Sequence, residues 1–305
     1  MGIIIYHNAD PDGIFGGAVC LKAFPNALTI GYNYEPNVKE IINQCEGKNV
    51  VMVDVSFKNW SDMHLLLDVC ESLTWIDHHK TALADCEKHK TAELYEGKFT
   101  CVFEHEQYGA CRKAYQHFFP NAVQIPLSIE LVASYDVWRG YGSDEWNLRT
   151  APFRHISGQL KTPQAVLELF SLEKYDHATV LSWLDKGVTI AQYIDYENEL
   201  FVNNPSLCYE SSFAATVEGE RKIYKVLAVN KGLYGDMFKS KDLTDYDFTV
   251  GFYRQSDAWK VSLRGANKGV ELGLIAKSYG GGGHQDAAGF SVGTFDELRK
   301  ILFIQ

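Results

Sequence analysis

The first third of the chain alternates short apolar runs with amphipathic segments. The apolar runs cover residues 3–6, 28–32, 50–55 and 73–76, and the amphipathic segments cover residues 14–24, 38–45 and 61–70. Strands separated by helices predict a parallel α/β sheet. Ligands of such sheets bind outside the carboxyl ends of the strands, so the polar residues that follow each run are candidates for a site.

The pattern loosens after the fourth apolar run. We predict helices over residues 107–119 and 125–137, a short helical segment over 167–170 and a long connector helix over 175–200. Beyond Asn203-Asn204-Pro205, further apolar segments indicate strands over residues 212–217, 222–229, 248–253 and 258–263, followed by a glycine tract over 280–283. The fold class predicted is α/β, with an N-terminal parallel-sheet domain over residues 1–190 and a smaller mixed α/β domain over 205–305.

Length and charge narrow the class of protein. A chain of 305 residues with 46% hydrophobic content can bury the cores of two domains. The formal charge is −10, so the surface as a whole should repel a long polyphosphate backbone. We therefore expect a short or small substrate, with no binding of long duplexes.

The cysteines and the apolar segments indicate the cellular compartment in which the protein is expected. Seven cysteines are scattered without a C-x-x-C pair, which predicts reduced core thiols in a cytoplasmic protein. The apolar stretch that begins at Met1 is too short for a signal peptide, and no run approaches the roughly 18 apolar residues of a membrane helix. We expect no membrane partner.

The loop after the first run concentrates polar chemistry. His7, Asp10 and Asp12 lie within six residues, and Pro11 and Gly13 shape the turn between them. An ordinary turn in which Asp12 caps the following helix is an equally good interpretation of this loop alone.

Two further apolar runs also end in ligating residues. Asp54 follows one, and Asp77-His78-His79 ends another. Uncompensated charges at the ends of buried strands are costly, so divalent metal is the economical explanation. Nitrogen and oxygen ligands without thiolate favour Mn2+, with Mg2+, Co2+ or Zn2+ as alternatives. Asp136, at a predicted helix end, would add a carboxylate, although an exposed helix-terminal aspartate is the better interpretation of this residue taken alone.

These motifs, taken in order, resemble the DHH family of phosphoesterases, named for the triplet that stands here as Asp77-His78-His79. The C-terminal region is similar to the DHH-associated domain of that family, through residues 261–265, 281–284 and 287–289. The resemblance covers nearly the whole chain, and implies a metal-binding catalytic DHH domain joined by the connector helix to a substrate-binding domain.

The resemblance implies a role for each matching residue. His7 and Asp10 would hold one metal, Asp12, His78 and Asp136 the other, and Asp54 would bridge the two. Asp77 would orient its neighbours, and His79 would stabilise a phosphoryl oxygen. Substrate phosphate would be bound by Arg264, Gly281, Gly282, Gly283 and His284. Gly265 stands where many relatives carry a small hydroxyl residue, so one phosphate contact would be missing.

The function implied is a two-metal hydrolase that cleaves phosphodiester, or terminal phosphomonoester, bonds of dinucleotides or short oligonucleotides and releases mononucleotides, as a nano-RNase-like enzyme would. Alternatives are a RecJ-like single-strand exonuclease, a cyclic-dinucleotide phosphodiesterase, an inorganic pyrophosphatase and a non-catalytic nucleotide-binding protein. The glycine tract argues against the pyrophosphatase branch. A homodimer is left open.

Two weaker groups remain. Cys101, His105 and Cys111 fit no standard zinc spacing, so a core role is favoured. Aromatic residues such as Trp138, beside Arg139 and Asp136, could stack a base, although most aromatic residues are simply core.

Overall fold

The computed structural model describes residues 2–34, 37–89, 97–103, 108–172, 177–232, 237–266, 268–283 and 285–303. The chain forms two compact units, Met1–Ala191 and Gln192–Gln305. The division falls within a 26-residue helix, His177–Val202.

The first unit contains a five-stranded parallel sheet. Its strands are β1 (Ile3–His7), β2 (Leu28–Tyr32), β3 (Asn49–Val53), β4 (Ser72–Asp77) and β5 (Phe99–Phe103). The strand order is β2-β1-β3-β4-β5, and each neighbouring pair is parallel. Strand β2 lies on one side of β1, whereas β3, β4 and β5 follow in order on the other side. The direction in which strands are added to the sheet therefore reverses between β1 and β3. Such a switch point opens a crevice at the carboxyl ends of these two strands.

Helices cover both faces of this sheet. They are α1 (Pro11–Ala23), α2 (Val38–Gln44), α3 (Trp60–Val69), α4 (Lys80–His89), α5 (Ala110–Phe118), α6 (Leu127–Asp136), α7 (Ala151–Ser157), α8 (Pro163–Leu169) and α9 (His177–Val202), with a π-helical turn at Trp146–Thr150 before α7. One core lies under α1, α5, α6 and α8, and a second lies under α2 and α3. The predicted parallel α/β architecture is confirmed.

The first helix begins earlier than its apolar pattern predicts. The Asp10 side chain caps α1 by accepting a hydrogen bond from the Gly13 N–H at 3.1 Å, and Pro11 occupies the first helical position. Proline is favoured there because its missing N–H would be unpaired in any case. The interpretation that Asp12 caps this helix is therefore wrong, and Asp12 lies inside the first turn.

Helix α6 ends in an unusual turn. The Trp138 N–H donates to the carbonyl of Tyr135 at 3.1 Å, and the Arg139 N–H donates to that of Ser134 at 2.9 Å. This pair of bonds is the Schellman motif, whose left-handed position is normally glycine. Here Trp138 occupies it, with φ at 56°. This left-handed residue lies two positions after Asp136, the last residue of the helix.

The second unit contains a six-stranded mixed sheet. Its elements are β6 (Cys208–Val217), β7 (Glu220–Val229), β8 (Phe248–Gln255), β9 (Ala258–Gly265), α10 (Leu272–Ser278), β10 (Gly282–Gly283), β11 (Ala287–Val292) and α11 (Phe295–Leu302). The order is β10-β11-β9-β8-β7-β6, and β7 and β8 are the parallel pair. Helices α10 and α11 pack on a core that includes Phe213 and Phe248. A capping box between Thr294 and Glu297 starts α11.

Several predicted boundaries shift. The helix predicted over 125–137 starts at Leu127, after Pro126. Strand β5 had no predicted counterpart, because five residues within a loosely patterned region give little periodic signal. The proposed starts of the helices at Gln107 and Tyr175 lie outside the described residues.

The cysteines depart from the prediction in one place. The structure pairs the sulfurs of Cys86 and Cys101, so the expectation of reduced thiols is wrong for these two. The remaining five cysteines are free and buried. Cys111 is separate from that pair and places its thiol against the carbonyl of Ile129 at 3.8 Å. His105 lies outside the described residues.

Within the described part of the chain, none of the helices combines the length and apolar character that crossing a membrane requires.

Candidate metal centre

The predicted ligands meet at the switch point of the parallel sheet. His7 ends β1, Asp54 follows β3, and Asp77 ends β4 with His78 directly after it. Since β1, β3 and β4 are adjacent and parallel, their carboxyl ends share one edge. Helix α6 brings Asp136 to the same place. Residues separated by up to 129 positions in the chain thus form one cluster.

One group of ligand atoms comes from His7, Asp10 and Asp54. Their ligand atoms all lie within 4.8 Å of one another. The Nδ1 atom of His7 is 3.0 Å from Asp10 Oδ2 and 3.6 Å from Asp54 Oδ2. The other ring nitrogen, Nε2, lies 3.3 Å from the side-chain oxygen of Asn33. We refer to these three predicted ligands as the outer group.

Asn33 and Tyr34 are residues beside the outer group that sequence reasoning did not identify. Asn33 holds the His7 ring through Nε2, and the Tyr34 ring packs edge-on against it with centroids 5.9 Å apart. Tyr34 has a left-handed backbone, with φ at 61°. The only signal was their position directly after β2, a strand without a charged residue at its end.

A second group comes from Asp12, His78 and Asp136, whose ligand atoms also lie within 4.8 Å of one another. The Nε2 atom of His78 is 3.0 Å from Asp136 Oδ2 and 3.9 Å from Asp12 Oδ2. Asp12 and His78 are buried, whereas the Asp136 side chain is partly exposed. We refer to this as the inner group.

Asp54 connects the two groups. One of its oxygens, Oδ1, lies 3.3 Å from His78 Nε2, and the other, Oδ2, faces His7. The residue is 2% exposed and adopts a left-handed backbone with φ at 58°. Its N–H donates to the Ile76 carbonyl at 2.9 Å, which fixes the turn at the end of β3. A carboxylate with one oxygen toward each group is placed where a bridging ligand would be.

The amino-terminal end of α5 holds Asp12 in position. The N–H of Ala110 donates to Asp12 Oδ2 at 2.5 Å, and the N–H of Cys111 donates to Oδ1 at 3.1 Å. Gly109, which precedes the helix, lies against the same carboxylate. A helix amino terminus favours negative charge, so it stabilises the buried carboxylate. Sequence reasoning missed this contact.

Asp77 holds the histidine that follows it. Its Oδ1 atom accepts hydrogen bonds from the His78 N–H at 2.7 Å and from the His79 N–H at 3.0 Å. The same oxygen lies 2.7 Å from the Nδ1 atom of His79. Because Asp77 is buried and engaged by three donors, it orients the triplet, while the His79 ring remains partly exposed.

The carboxylates strongly perturb the imidazoles around them. Burial opposes protonation of His7, but Asp10 and Asp54 outweigh it and raise its pKa to about 11. Burial also opposes protonation of His79, but Asp77 raises its pKa to about 9. Burial, together with the charges of Asp54 and its neighbours, raises the pKa of Asp12. Without a metal, the cluster therefore recruits protons to balance its negative charge.

These residues fit a divalent cation. The buried atoms His7 Nδ1 and Asp54 Oδ1 have no partner in hydrogen-bond geometry among the described residues. Buried polar atoms without partners are costly, and a cation that they coordinate would satisfy them. The donors are carboxylate oxygens and imidazole nitrogens, without thiolate, which suits divalent ions of the Mg2+, Mn2+ and Zn2+ type.

The predicted phosphate-binding residues lie in the second unit. Arg264 is on β9, where its guanidinium donates to the Leu263 carbonyl at 2.9 Å. Gly282 and Gly283 form β10, and Gly281 precedes it. A Cβ on Gly281 would come within 2.1 Å of the Gly289 carbonyl oxygen, so the tract depends on glycine for its packing. His284 lies outside the described residues.

Gly265 stands where the resemblance implies a small hydroxyl residue, and its surroundings leave little space for a side chain. A Cβ at this position would be 2.7 Å from Asp286 Oδ1. The Gly265 N–H also donates to the carbonyl of Asp286 at 2.8 Å. Asp286 therefore occupies the space beside the end of β9, and a hydroxyl side chain at position 265 would require that residue to move.

The chain is similar to several known proteins. Residues 223–303 match the DHHA1 domain model. The uncharacterized protein R106 of Acanthamoeba polyphaga mimivirus is 24% identical over 306 residues, which cover 95% of this chain and 67% of that protein.

Among solved structures, the pGpG-specific phosphodiesterase PggH from Vibrio cholerae is 14% identical, with a TM-score of 0.45, over 98% of this chain and 95% of its own. RecJ from Thermus thermophilus, in complex with Mn2+, is 15% identical, with a TM-score of 0.46, over 97% of this chain and 50% of its own.

The DHHA1 match lies within the second unit, and the first unit carries the Asp-His-His triplet within a cluster of side chains that could hold a metal ion. The chain thus contains a DHHA1 domain over residues 223–303.

Proposed function

We propose that this protein is a metal-dependent phosphoesterase of the DHH family, and that it hydrolyses dinucleotides or short oligonucleotides to mononucleotides with two divalent ions, preferentially Mn2+, in the outer and inner groups. The observation that carries the proposal is the placement of Asp54 between two sets of ligand atoms, each set within 4.8 Å. Paired ions of this kind activate a water molecule and neutralise charge that develops on the phosphoryl group during in-line displacement.

The protein contributes the arrangement of the metal ligands and, in addition, the imidazole of His79. We assign His7 and Asp10 to one ion, Asp12, His78 and Asp136 to the other, and Asp54 to both. Asp77 fixes the ring of His79 through Nδ1, at 2.7 Å. His79 then presents its remaining nitrogen as a donor to a phosphoryl oxygen. Its raised pKa of about 9 in the absence of metal favours the protonated, donating form.

The DHHA1 domain supports a nucleotide ester over pyrophosphate as substrate. A pyrophosphatase of this superfamily would be expected to carry a different C-terminal domain, whereas residues 223–303 match DHHA1. We assign residues 1–190 to metal binding and 205–305 to substrate binding, with phosphate contacts from Arg264, the 281–283 glycine tract and His284.

Net charge supports a short substrate. With 29 basic and 39 acidic residues, the chain as a whole does not attract a long strand. A processive single-strand exonuclease would be expected to bind long strands tightly and with strong salt dependence.

The decisive experiment is a substrate panel on chelator-treated protein to which Mn2+, Mg2+, Co2+ or Zn2+ is returned. The panel comprises a linear dinucleotide, a cyclic dinucleotide, a 3′,5′-bisphosphate nucleotide, pyrophosphate and a long single strand. We expect the highest kcat/KM for the linear dinucleotide with Mn2+, and no turnover by Asp54→Asn. Turnover of pyrophosphate alone, or a preference for the long strand, would contradict the proposal, as would full activity without divalent ions.

A further inference from the structure

Helix α4 is attached directly to the Asp-His-His triplet. It begins at Lys80, the residue after His79, and the N–H of Leu83 donates to the His79 carbonyl at 3.0 Å. The first turn of the helix therefore holds the main chain of His79, the residue to which we assign a contact with a phosphoryl oxygen. A displacement of α4 would displace that residue.

The packing of α4 on the sheet is slight. Among the side chains of this helix that the structure describes, those of Ala82 and Cys86 are buried, and both join the core under α2 and α3. Leu83 is half-buried, and residues 84, 85, 87 and 88 are exposed. A methyl group and a thiol bury little apolar area, so packing alone stabilises the position of α4 weakly.

A covalent bond adds to this packing. The disulfide between Cys86 and Cys101 joins α4 to β5, the last strand in the order of the parallel sheet. Cys101 lies opposite Trp75 of the neighbouring strand β4 and is partly exposed, whereas Cys86 is 1% exposed. A small thiol or disulfide in solution can therefore reach the bond from the side of Cys101.

The other cysteines are poorly suited to the same chemistry. They are free and buried, and burial raises the pKa of each of their thiols. These residues are Cys20, Cys45, Cys70, Cys111 and Cys208. Since the thiolate is the form that reacts, burial makes them inert. Thiol–disulfide exchange is thus concentrated at the pair that restrains α4.

We propose that Cys86 and Cys101 are a reversible redox modification site that controls turnover through α4 and His79, with the disulfide form the more active. A small disulfide such as oxidised glutathione is the oxidant. The Cys101 thiolate attacks it and expels one small thiol, and the Cys86 thiolate then attacks the Cys101 sulfur and expels the second. Two electrons pass to the small disulfide, and two protons leave with the two thiols. This inference rests on the proposed function, because turnover is the property controlled.

The test compares wild-type protein treated with oxidised glutathione and with a phosphine reductant, each removed before Mn2+ and a dinucleotide are added. Alkylation of the unfolded chain should count five thiols after oxidation and seven after reduction. Reduction should lower kcat by about three- to tenfold. This is less than the roughly hundredfold effect of a 1 Å misplacement, because Asp77 still holds the His79 ring. KM and the apparent affinity for Mn2+ should stay within about twofold.

Three variants locate the effect. Cys101→Ser cannot form the bond, so its kcat should match that of reduced wild-type protein and should not respond to oxidant. The control Cys70→Ala removes a free buried thiol and should respond as the wild type does. In His79→Gln the lowered kcat should no longer depend on the redox treatment, because two changes that act through one group are not additive. Seven thiols after oxidation, equal kcat in both states of the wild type, a response in Cys101→Ser, none in Cys70→Ala or an undiminished one in His79→Gln would overturn the inference.

Amide hydrogen exchange separates this inference from the proposed function, since it needs no substrate. Reduction should speed exchange along α4, including the Leu83 N–H, and should leave β3 unchanged. If the wild-type protein hydrolyses no substrate of the panel but exchange along α4 depends on the redox state, the proposed function fails and the control of α4 by the disulfide stands. If hydrolysis is present and neither exchange nor kcat depends on the redox state, the redox site alone fails.

Discussion

The backbone of Gly109 touches the carboxylate of Asp12 so closely that a Cβ on this glycine would be 2.5 Å from Asp12 Oδ1. Real Cβ atoms do not approach an oxygen to that distance, so either the carboxylate or the start of α5 would have to move. The inner group therefore depends on the absence of a side chain at position 109.

Gly109→Ala should consequently impair the site more than its size suggests. We expect a fall in kcat/KM of about a hundredfold, since misplacing a group at a reacting centre by about 1 Å has effects of that order. The measurement is Mn2+-dependent turnover together with the apparent affinity for Mn2+. Gly142→Ala is the control, because Gly142 has a left-handed φ of 79° and no atom within 4 Å of its Cβ position. That variant should lose some stability and keep its activity. Wild-type turnover by Gly109→Ala would contradict the assignment of Asp12.

Metal should stabilise the protein through Asp54. One ion at about a hundred times its Kd contributes roughly 2.7 kcal/mol, which corresponds to a rise in Tm of roughly 5 to 10 °C for a unit of about 190 residues. Asp54→Asn should abolish this rise, because the amide removes the charge shared between the groups. Asparagine tolerates the left-handed backbone of position 54, so the variant should remain folded. Thermal unfolding with and without Mn2+ provides the comparison, and an undiminished Mn2+ shift in Asp54→Asn would argue against a bridging role.

Metal binding should release protons. The pKa of metal-free His7 is raised to about 11, so this residue is protonated at pH 7, whereas a metal ligand must be neutral. For each proton that the metal displaces, the apparent affinity for Mn2+ should increase about tenfold for every unit by which the pH is raised, as long as the pH stays below that pKa. Calorimetric titrations with Mn2+ in buffers of different ionisation enthalpy would count the protons. A heat of binding that is independent of the buffer would exclude His7 as a ligand that loses its proton on binding.

Asp77 should behave differently from Asp54. Its Oδ1 accepts from the His78 and His79 main chain and contacts His79 Nδ1, so it acts through these histidines. Asp77→Asn should lower kcat by about ten- to a hundredfold, the usual effect of altering a group that orients a ligand. The Mn2+-dependent rise in Tm should be largely retained. If Asp77→Asn instead loses that rise as completely as Asp54→Asn does, Asp77 is itself a ligand.

The parallel sheet and its polar edge could be predicted from the sequence because both are local signals. An apolar run followed by Asp54, or by Asp77-His78-His79, specifies a buried strand and the chemistry at its end without knowledge of any distant residue. The α/β fold of the first unit follows from several such repeats.

The support of Asp12 could not be predicted in the same way. Its partner Ala110 is 98 residues away, and neither residue differs from one in an ordinary turn or helix. The backbone of Trp138 could not be predicted either, because a residue with a Cβ seldom adopts a left-handed conformation. Asn33 was missed because an amide after a strand is common in turns. In each case a tertiary contact decides the role of a residue whose local sequence is ordinary.

The inner group joins Asp12, His78 and Asp136, which lie far apart along the chain. Closing such long loops is slow in folding, because the chain entropy is lost before the contacts form. The inner group should therefore be completed only when α6 docks on the formed sheet, late in the folding of this unit. An ion that binds there would stabilise the native state after the sheet has assembled. It would therefore slow unfolding more than it accelerates folding.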